Sequence, residues 1–204
     1  MDTDTAAPID FWFDFSSPFG YLMAEKIDAA AAAHGRAVRW RPFLLGAVYK
    51  HTGGVPLTET PLKGAYSLRD IARSARFLGL PFAMPTPFPV ATQHAARAFY
   101  HFDAADPAQA RAFALAVLRA FFVDGRDISA LDTVLDLATA LGAERAALAS
   151  ALTEAGIKAR LKAVCDEAFA LGIFGSPYVV IDGEPFWGVD RLPQIEHWLE
   201  TGGF

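Results

Sequence analysis

Seven residues near the start of the chain, "IDFWFDF" (Ile9–Phe15), alternate strictly. Ile9, Phe11, Phe13 and Phe15 fall on one side; Asp10, Trp12 and Asp14 fall on the other. A period of two in so phenylalanine-rich a run predicts a strand with one buried face. The next residues, "SSPFGYL", end that strand and begin a helix with no linker between them. Pro18 suits the first helical position, where its missing N–H costs nothing, and Ser17 then stands at the N-cap. The helix is expected to run through Leu22, Ile27 and the alanines Ala29–Ala33 to a stop at Gly35. "VRWRPF" (Val38–Phe43) reads as a second strand, so the chain opens β–α–β.

Glycine and proline punctuate "LLGAVYKHTGGVPLTETPLKGAY", which is expected to be a long loop, and loops of that length tend to be functional. Ser67 with Asp70 three residues on forms a capping-box pattern before an amphipathic run containing Leu68, Ile71, Ala75 and Leu78. Prolines 81, 85, 87 and 89 end that run. Further helices are expected over Ala91–Phe102, from the Asp106-Pro107 cap through Phe121, from Ser129 to Gly142, and over Glu144–Ala155 and Ile157–Leu171. The end returns to strands. "SPYVVIDGEPFWGVDRL" carries a β-branched run, an Asp182-Gly183 hairpin turn and a second short strand that Pro185 marks as an edge. A closing amphipathic helix spans Asp190 to Leu199. The order β–α–β, helical block, β–β–α defines an α/β chain: a thioredoxin-like fold with an inserted all-helical domain. Residues 1–45 and 173–204 are expected to form the first unit, and 46–172 the loop and helical insertion.

Composition narrows the function. Hydrophobic residues make up 53% of 204, with 17 Phe and 4 Trp, enough for a sizeable core. Eighteen basic against 23 acidic side chains give a charge of −5, which offers no attraction to phosphate backbones; nucleic acid is excluded as an expected partner. No apolar run approaches the roughly 20 residues a membrane helix needs. The acidic start "MDTDTAAPID" lacks a secretory pattern, and Cys165 is the only cysteine, so an intramolecular disulfide is impossible. A cytoplasmic protein is expected. Histidines 34, 51, 94, 101 and 197 show no metal-ligand spacing with Cys165 or one another, so no metal is expected.

Two turns carry candidate chemistry. Ser17 before Pro18 is an ordinary helix cap, yet a hydroxyl there can also donate to a bound thiolate and favour its ionised form. "FGSPYVV" (Phe174–Val180) places Ser176-Pro177 before a buried strand, either as a plain turn or as a constrained one whose backbone pairs with a peptide-like ligand. In thioredoxin-like folds these turns lie side by side, which would make them one site. Asp190 and Arg191 open the last helix as a cap and a solvated cation, or as a pair that reads a zwitterion. Lys50 and Lys63 sit in the long loop. Arg69, Arg73 and Arg76 form a stripe best read as a solvated face.

The segments "FDFSSPFGYL", "RPFLLGAVYK", "PLKGAY" and "FGSPYVVIDGEPFWGVDRL" resemble, in order and spacing, the 2-hydroxychromene-2-carboxylate isomerases. That family belongs to the DsbA-like thioredoxin superfamily and is related to the kappa-class glutathione transferases. The resemblance implies glutathione as cofactor. It also implies Ser17 as the hydrogen-bond donor to the sulfur, and Ser176 before Pro177 as the backbone partner of the cysteinyl unit. Asp190 with Arg191 would contact the γ-glutamyl end, and Lys63 would lie near the tripeptide. Gly54 stands where relatives often place an asparagine. The implied reaction converts 2-hydroxychromene-2-carboxylate to trans-o-hydroxybenzylidenepyruvate by reversible thiolate addition to a conjugated double bond. A small aromatic carboxylate would be the substrate. Lys50 or Lys63 would attract its carboxylate, and the Phe99-Tyr100 region would shape an aromatic pocket; relatives suggest a homodimer. A kappa-like glutathione transferase and a non-catalytic glutathione- or peptide-binding module are the competing readings. Disulfide exchange is not expected, because neither Ser17 nor Gly20 carries a thiol.

Overall fold

The computed structural model describes residues 7–204. Four strands form one mixed sheet: β1 (Ile9–Phe13), β2 (Val38–Pro42), β3 (Tyr178–Ile181) and β4 (Glu184–Trp187), in the order β2-β1-β3-β4. Strand β1 runs parallel to β2, pairing Phe11 with Trp40, and antiparallel to β3, pairing Phe11 with Val179. Phe11 and Val179, 168 positions apart, thus share one ladder. Pro185 lies in the edge strand β4, where its missing N–H breaks no ladder.

The alternation in β1 is real, but both faces are buried. Phe11 and Phe13 stack with ring centroids 4.9 Å apart and meet Trp40 edge-on; on the opposite face Trp12 is fully buried and carries Arg41 over its ring at 4.1 Å. Helices cover both sides, so the polar side of the pattern is not a solvent face.

After β1 come α1 (Pro18–Ala24) and α2 (Ile27–Ala32). The single helix expected up to Gly35 is broken at Glu25–Lys26, where Glu25 turns to meet Arg119 at 2.6 Å. The expected long loop is also partly ordered: α3 (Leu45–Thr52) ends at Gly53 with φ +71°, and a short 3-10 turn covers Leu57–Glu59. The next helix, α4 (Lys63–Phe77), starts four residues before the capping-box pattern. Ser67 is therefore inside a helix and buried, and Asp70 pairs with Arg73 instead of capping.

The helical block continues with α5 (Gln93–Asp103), α6 (Pro107–Phe122), α7 (Leu131–Ala140), α8 (Arg145–Ala151) and α9 (Ala155–Ala170). Asp106 caps α6 by accepting from the Ala108 N–H at 2.8 Å, as its place before Pro107 predicts. Ser129 does not cap α7; its hydroxyl and N–H bond Asp127. A 3-10 turn over Val189–Arg191 precedes α10 (Leu192–Thr201), so the last helix begins two residues later than expected.

Candidate active site

At the C-terminal end of β1 the chain must turn sharply, and polar residues organise that turn. The Asp14 carboxylate accepts from the Ser16 N–H at 2.8 Å, from the Leu45 N–H at 2.7 Å and from the Thr92 hydroxyl at 3.0 Å. One buried side chain thus ties the α1 turn, the first turn of α3 and the entry to α5 together. Burial pushes the Asp14 carboxyl above its ordinary range, against the lowering effect of those three donors. The Ser16 hydroxyl accepts from the Val90 N–H at 3.0 Å and holds the proline-rich segment beside the turn.

Ser17 caps α1 as expected: its hydroxyl accepts from the Gly20 N–H at 3.0 Å. The same hydroxyl donates to the Ser176 carbonyl at 2.9 Å. The Ser176-Pro177 peptide is cis, and the Ser176 hydroxyl accepts from the Asp14 N–H at 2.9 Å. The two turns singled out in the sequence therefore form a single site, locked by two hydrogen bonds across about 160 residues of chain. Gly20 is tightly constrained here. A Cβ on it would lie 2.8 Å from the Ser176 hydroxyl oxygen and 3.1 Å from the Ser17 Cβ. The position a second thiol would need is filled by Ser176.

These residues floor a cavity of about 400 Å³. Its walls are Tyr49 and Leu45 from α3, Ser67 and Ile71 from α4, and Phe88 with Pro89 from the proline-rich segment. Phe174 and Trp187 complete the mouth, 4.8 Å apart in an edge-on pair and each about half exposed. Trp187 lies flat across Gly175, where a Cβ would approach its indole nitrogen to 2.2 Å. Asp14 is the single charged residue of the lining.

The structure separates the remaining candidates from this cavity. Lys63 stands at the N-terminus of α4, one turn before Ser67, and Lys50 is exposed on α3 beside Tyr49; neither lines the cavity. Asp190 and Arg191 lie in the 3-10 turn before α10 and pair with each other at 2.9 Å. Tyr100 is buried in α5, donates to the Pro42 carbonyl at 2.7 Å and lies under Arg160; it does not reach the cavity. Cys165 is half-buried on α9 and accepts from the Leu44 N–H at 3.4 Å, and burial raises its thiol pKa. Arg73 lies over Tyr66 on the outer face of α4, consistent with a solvated stripe. No group of three or more His, Cys, Asp or Glu suited to a metal ion occurs among the described residues, and no described helix is long and apolar enough to cross a membrane.

Sequence reasoning missed Asp14, Tyr49, Ser67 and Trp187. For Tyr49 a signal was present: Leu45, Val48 and Tyr49 stand at helical spacing ahead of Gly53, a left-handed C-cap.

Sheet order, the interposed helices and a cis-proline turn facing a helix-capping serine define a thioredoxin-type chain. Residues 8–200 match the model of the DSBA-like thioredoxin domain, and the chain belongs to that family. Among individual relatives, it is 28% identical over 193 residues to a 2-hydroxychromene-2-carboxylate isomerase of Sphingobium xenophagum, covering 94% of this chain and 97% of that one. It is 26% identical to glutathione S-transferase kappa 2 of Caenorhabditis elegans, covering 94% of this chain and 91% of that protein. The solved structure of a 2-hydroxychromene-2-carboxylate isomerase superposes with a TM-score of 0.85 at 26% identity, over 95% of each chain.

Proposed function

We propose that this protein is a glutathione-dependent isomerase acting on a small aromatic carboxylate of the 2-hydroxychromene-2-carboxylate type. One observation carries the reading: a buried serine hydroxyl, bonded to the backbone of a cis-proline turn, faces a mostly apolar cavity in a chain with no second thiol. The donor set suits glutathione. Ser176, half-buried in the cavity lining, carries the backbone carbonyl with which a cysteinyl amide would pair as an added strand does. Asp190 and Arg191, with Lys63, lie outside the cavity lining and are the charges proposed for the ends of a tripeptide that extends beyond it.

When bound, glutathione supplies a thiolate for reversible addition to a conjugated double bond, which becomes a single bond able to rotate before elimination. The protein's part is positioning and charge. In the free protein the Ser17 hydroxyl donates its hydrogen bond to the Ser176 carbonyl. A ligand N–H taking over that carbonyl releases the hydroxyl to donate to sulfur. Because α1 has only seven residues, we assign stabilisation of the thiolate to this hydroxyl and not to the helix dipole. Trp187 and Phe174 offer flat faces to an aromatic substrate, and Lys50, next to Tyr49 on α3 but outside the cavity lining, is the cation proposed for its carboxylate.

A kappa-like transferase would use the same floor but release the electrophile still attached to sulfur. Calorimetry with glutathione, then turnover of a chromene carboxylate with and without it, tests the reading. Catalysis with no net loss of glutathione is expected. One glutathione consumed per product would make the protein a transferase, and no binding would remove both readings.

A further inference from the structure

The cavity handles negative charge in an unusual way. Its only charged lining residue is the acid Asp14, so no cation waits inside for a substrate oxygen. What it does contain is hydroxyl groups. Three are already engaged: Ser16 accepts from Val90, Ser17 donates to Ser176, and Ser176 accepts from Asp14. Three other lining residues carry hydroxyls with no hydrogen-bond partner among the described residues: Tyr49 on α3, Ser67 on α4 and Thr58 in the short 3-10 turn between those helices. Ser67 is only 7% exposed, yet its hydroxyl oxygen is not sealed off, so it is free to bond a ligand in the cavity.

Tyr49 is held by its surroundings. Its ring lies against Gly54, where a Cβ would come within 3.2 Å of the ring edge. The helix that carries it is anchored at its first turn by the Leu45 N–H bond to Asp14, the carboxylate that also fixes the Ser17 turn. Burial, with the negative charges of Asp14 and Glu59, raises its phenol pKa, so near neutrality it is a donor that keeps its proton.

We propose that Tyr49 and Ser67 form the polar end of the substrate subsite, with Tyr49 donating a hydrogen bond to the oxygen of a carbonyl conjugated to the reacting double bond. This rests on the isomerase reading above and names the group that handles the oxygen. When a nucleophile adds to the far carbon of the double bond, the C=C electron pair shifts toward the carbonyl, and negative charge gathers on its oxygen. When the nucleophile leaves, the pair returns. Tyr49 supplies a hydrogen bond throughout and transfers no proton, as oxyanion-stabilising donors do. The aliphatic Ser67 hydroxyl, a weaker donor than a phenol, orients the same end of the substrate.

The test uses Tyr49→Phe, which keeps the ring against Gly54, and Ser67→Ala, read in two ways. First, binding of 4-nitrophenolate without glutathione is followed by its absorbance; Tyr49→Phe is expected to weaken it about tenfold, the worth of one hydrogen bond to a charged group. Second, turnover of a conjugated aryl keto acid with glutathione is expected to lose about 100-fold in kcat in Tyr49→Phe. KM and glutathione affinity should stay within about twofold, and Ser67→Ala should lose less than Tyr49→Phe. Unchanged nitrophenolate binding, or a change confined to KM, overturns the proposal. Wild-type protein that binds nitrophenolate through Tyr49 but does not bind glutathione overturns the isomerase reading and leaves the donor assignment standing.

Discussion

The Ser17 hydroxyl and the Ser176 carbonyl are joined by a 2.9 Å hydrogen bond across the floor of the cavity. Both atoms are those the proposed function gives to glutathione, the first to its sulfur and the second to its amide. The free protein therefore satisfies with its own atoms what the ligand would satisfy, and binding exchanges one pairing for another.

Replacing Ser17 by alanine removes the cap and the donor together. The lost cap is expected to cost about 1 kcal/mol of stability. Glutathione affinity should fall less than turnover does, and the bound thiol should ionise at a higher pH. Titration of thiolate absorbance near 240 nm in wild type and variant checks this; identical titrations would leave Ser17 a cap and nothing more.

Gly20→Ala is expected to destabilise the protein by about 1–3 kcal/mol, since the new Cβ meets the Ser176 oxygen at 2.8 Å. The gain in helix propensity, at most about 1 kcal/mol, does not offset this. Ser176→Ala alone also destabilises, because it strips a partner from the Asp14 N–H. In a urea-denaturation double-mutant cycle the two changes should couple favourably, the pair costing less than the sum of the singles.

Asp14 sets a pH dependence with a definite sign. Its carboxyl is harder to ionise in the folded chain, where burial raises it, than in the unfolded chain, where it stays near 3.8. The stability it contributes is complete below that unfolded value and is lost as pH rises through the raised folded value. Asp14→Asn removes this titration. The variant's stability relative to wild type should therefore improve with rising pH above about 3.8, measured by denaturant midpoints across an acid-to-neutral series. A difference that stays flat, or moves the other way, would show that the Ser16, Leu45 and Thr92 donors outweigh burial.

Gly175→Ala is expected to displace the Trp187 indole from the cavity mouth. An aromatic contact of this type is worth about 1 kcal/mol beyond the area it buries. KM for an aromatic substrate should rise about fivefold with kcat little changed, a split that steady-state kinetics resolves.

What the sequence made legible was local. Ser17 and Pro18 announce the turn because capping is decided within four residues, and Asp106-Pro107 succeeds for the same reason. The break at Glu25–Lys26 could not be read, because nothing in an alanine-rich run reports that Glu25 will meet Arg119, 94 positions away. The capping pattern at Ser67 misled because α4 begins earlier, packed so closely on the preceding turn that a Cβ on Gly64 would sit 2.3 Å from the Thr58 carbonyl. Asp14 was visible as part of an alternation, but its burial depends on helices covering both sheet faces, a property of the whole fold. Asp190 and Arg191 were expected to open the last helix; they lie instead in the 3-10 turn just before it and pair with each other.

The crowding at Gly20 also bears on what dithiol chemistry would require of this chain. Dithiol chemistry here would need thiols at positions 17 and 20 and a smaller or displaced side chain at 176, three changes in segments far apart in sequence. A cysteine at 20 alone meets the Ser176 hydroxyl; a smaller residue at 176 alone leaves the Asp14 N–H bare. A cysteine at 20 and a smaller residue at 176 are each expected to cost stability when made alone, so dithiol chemistry in this chain depends on changing both segments together.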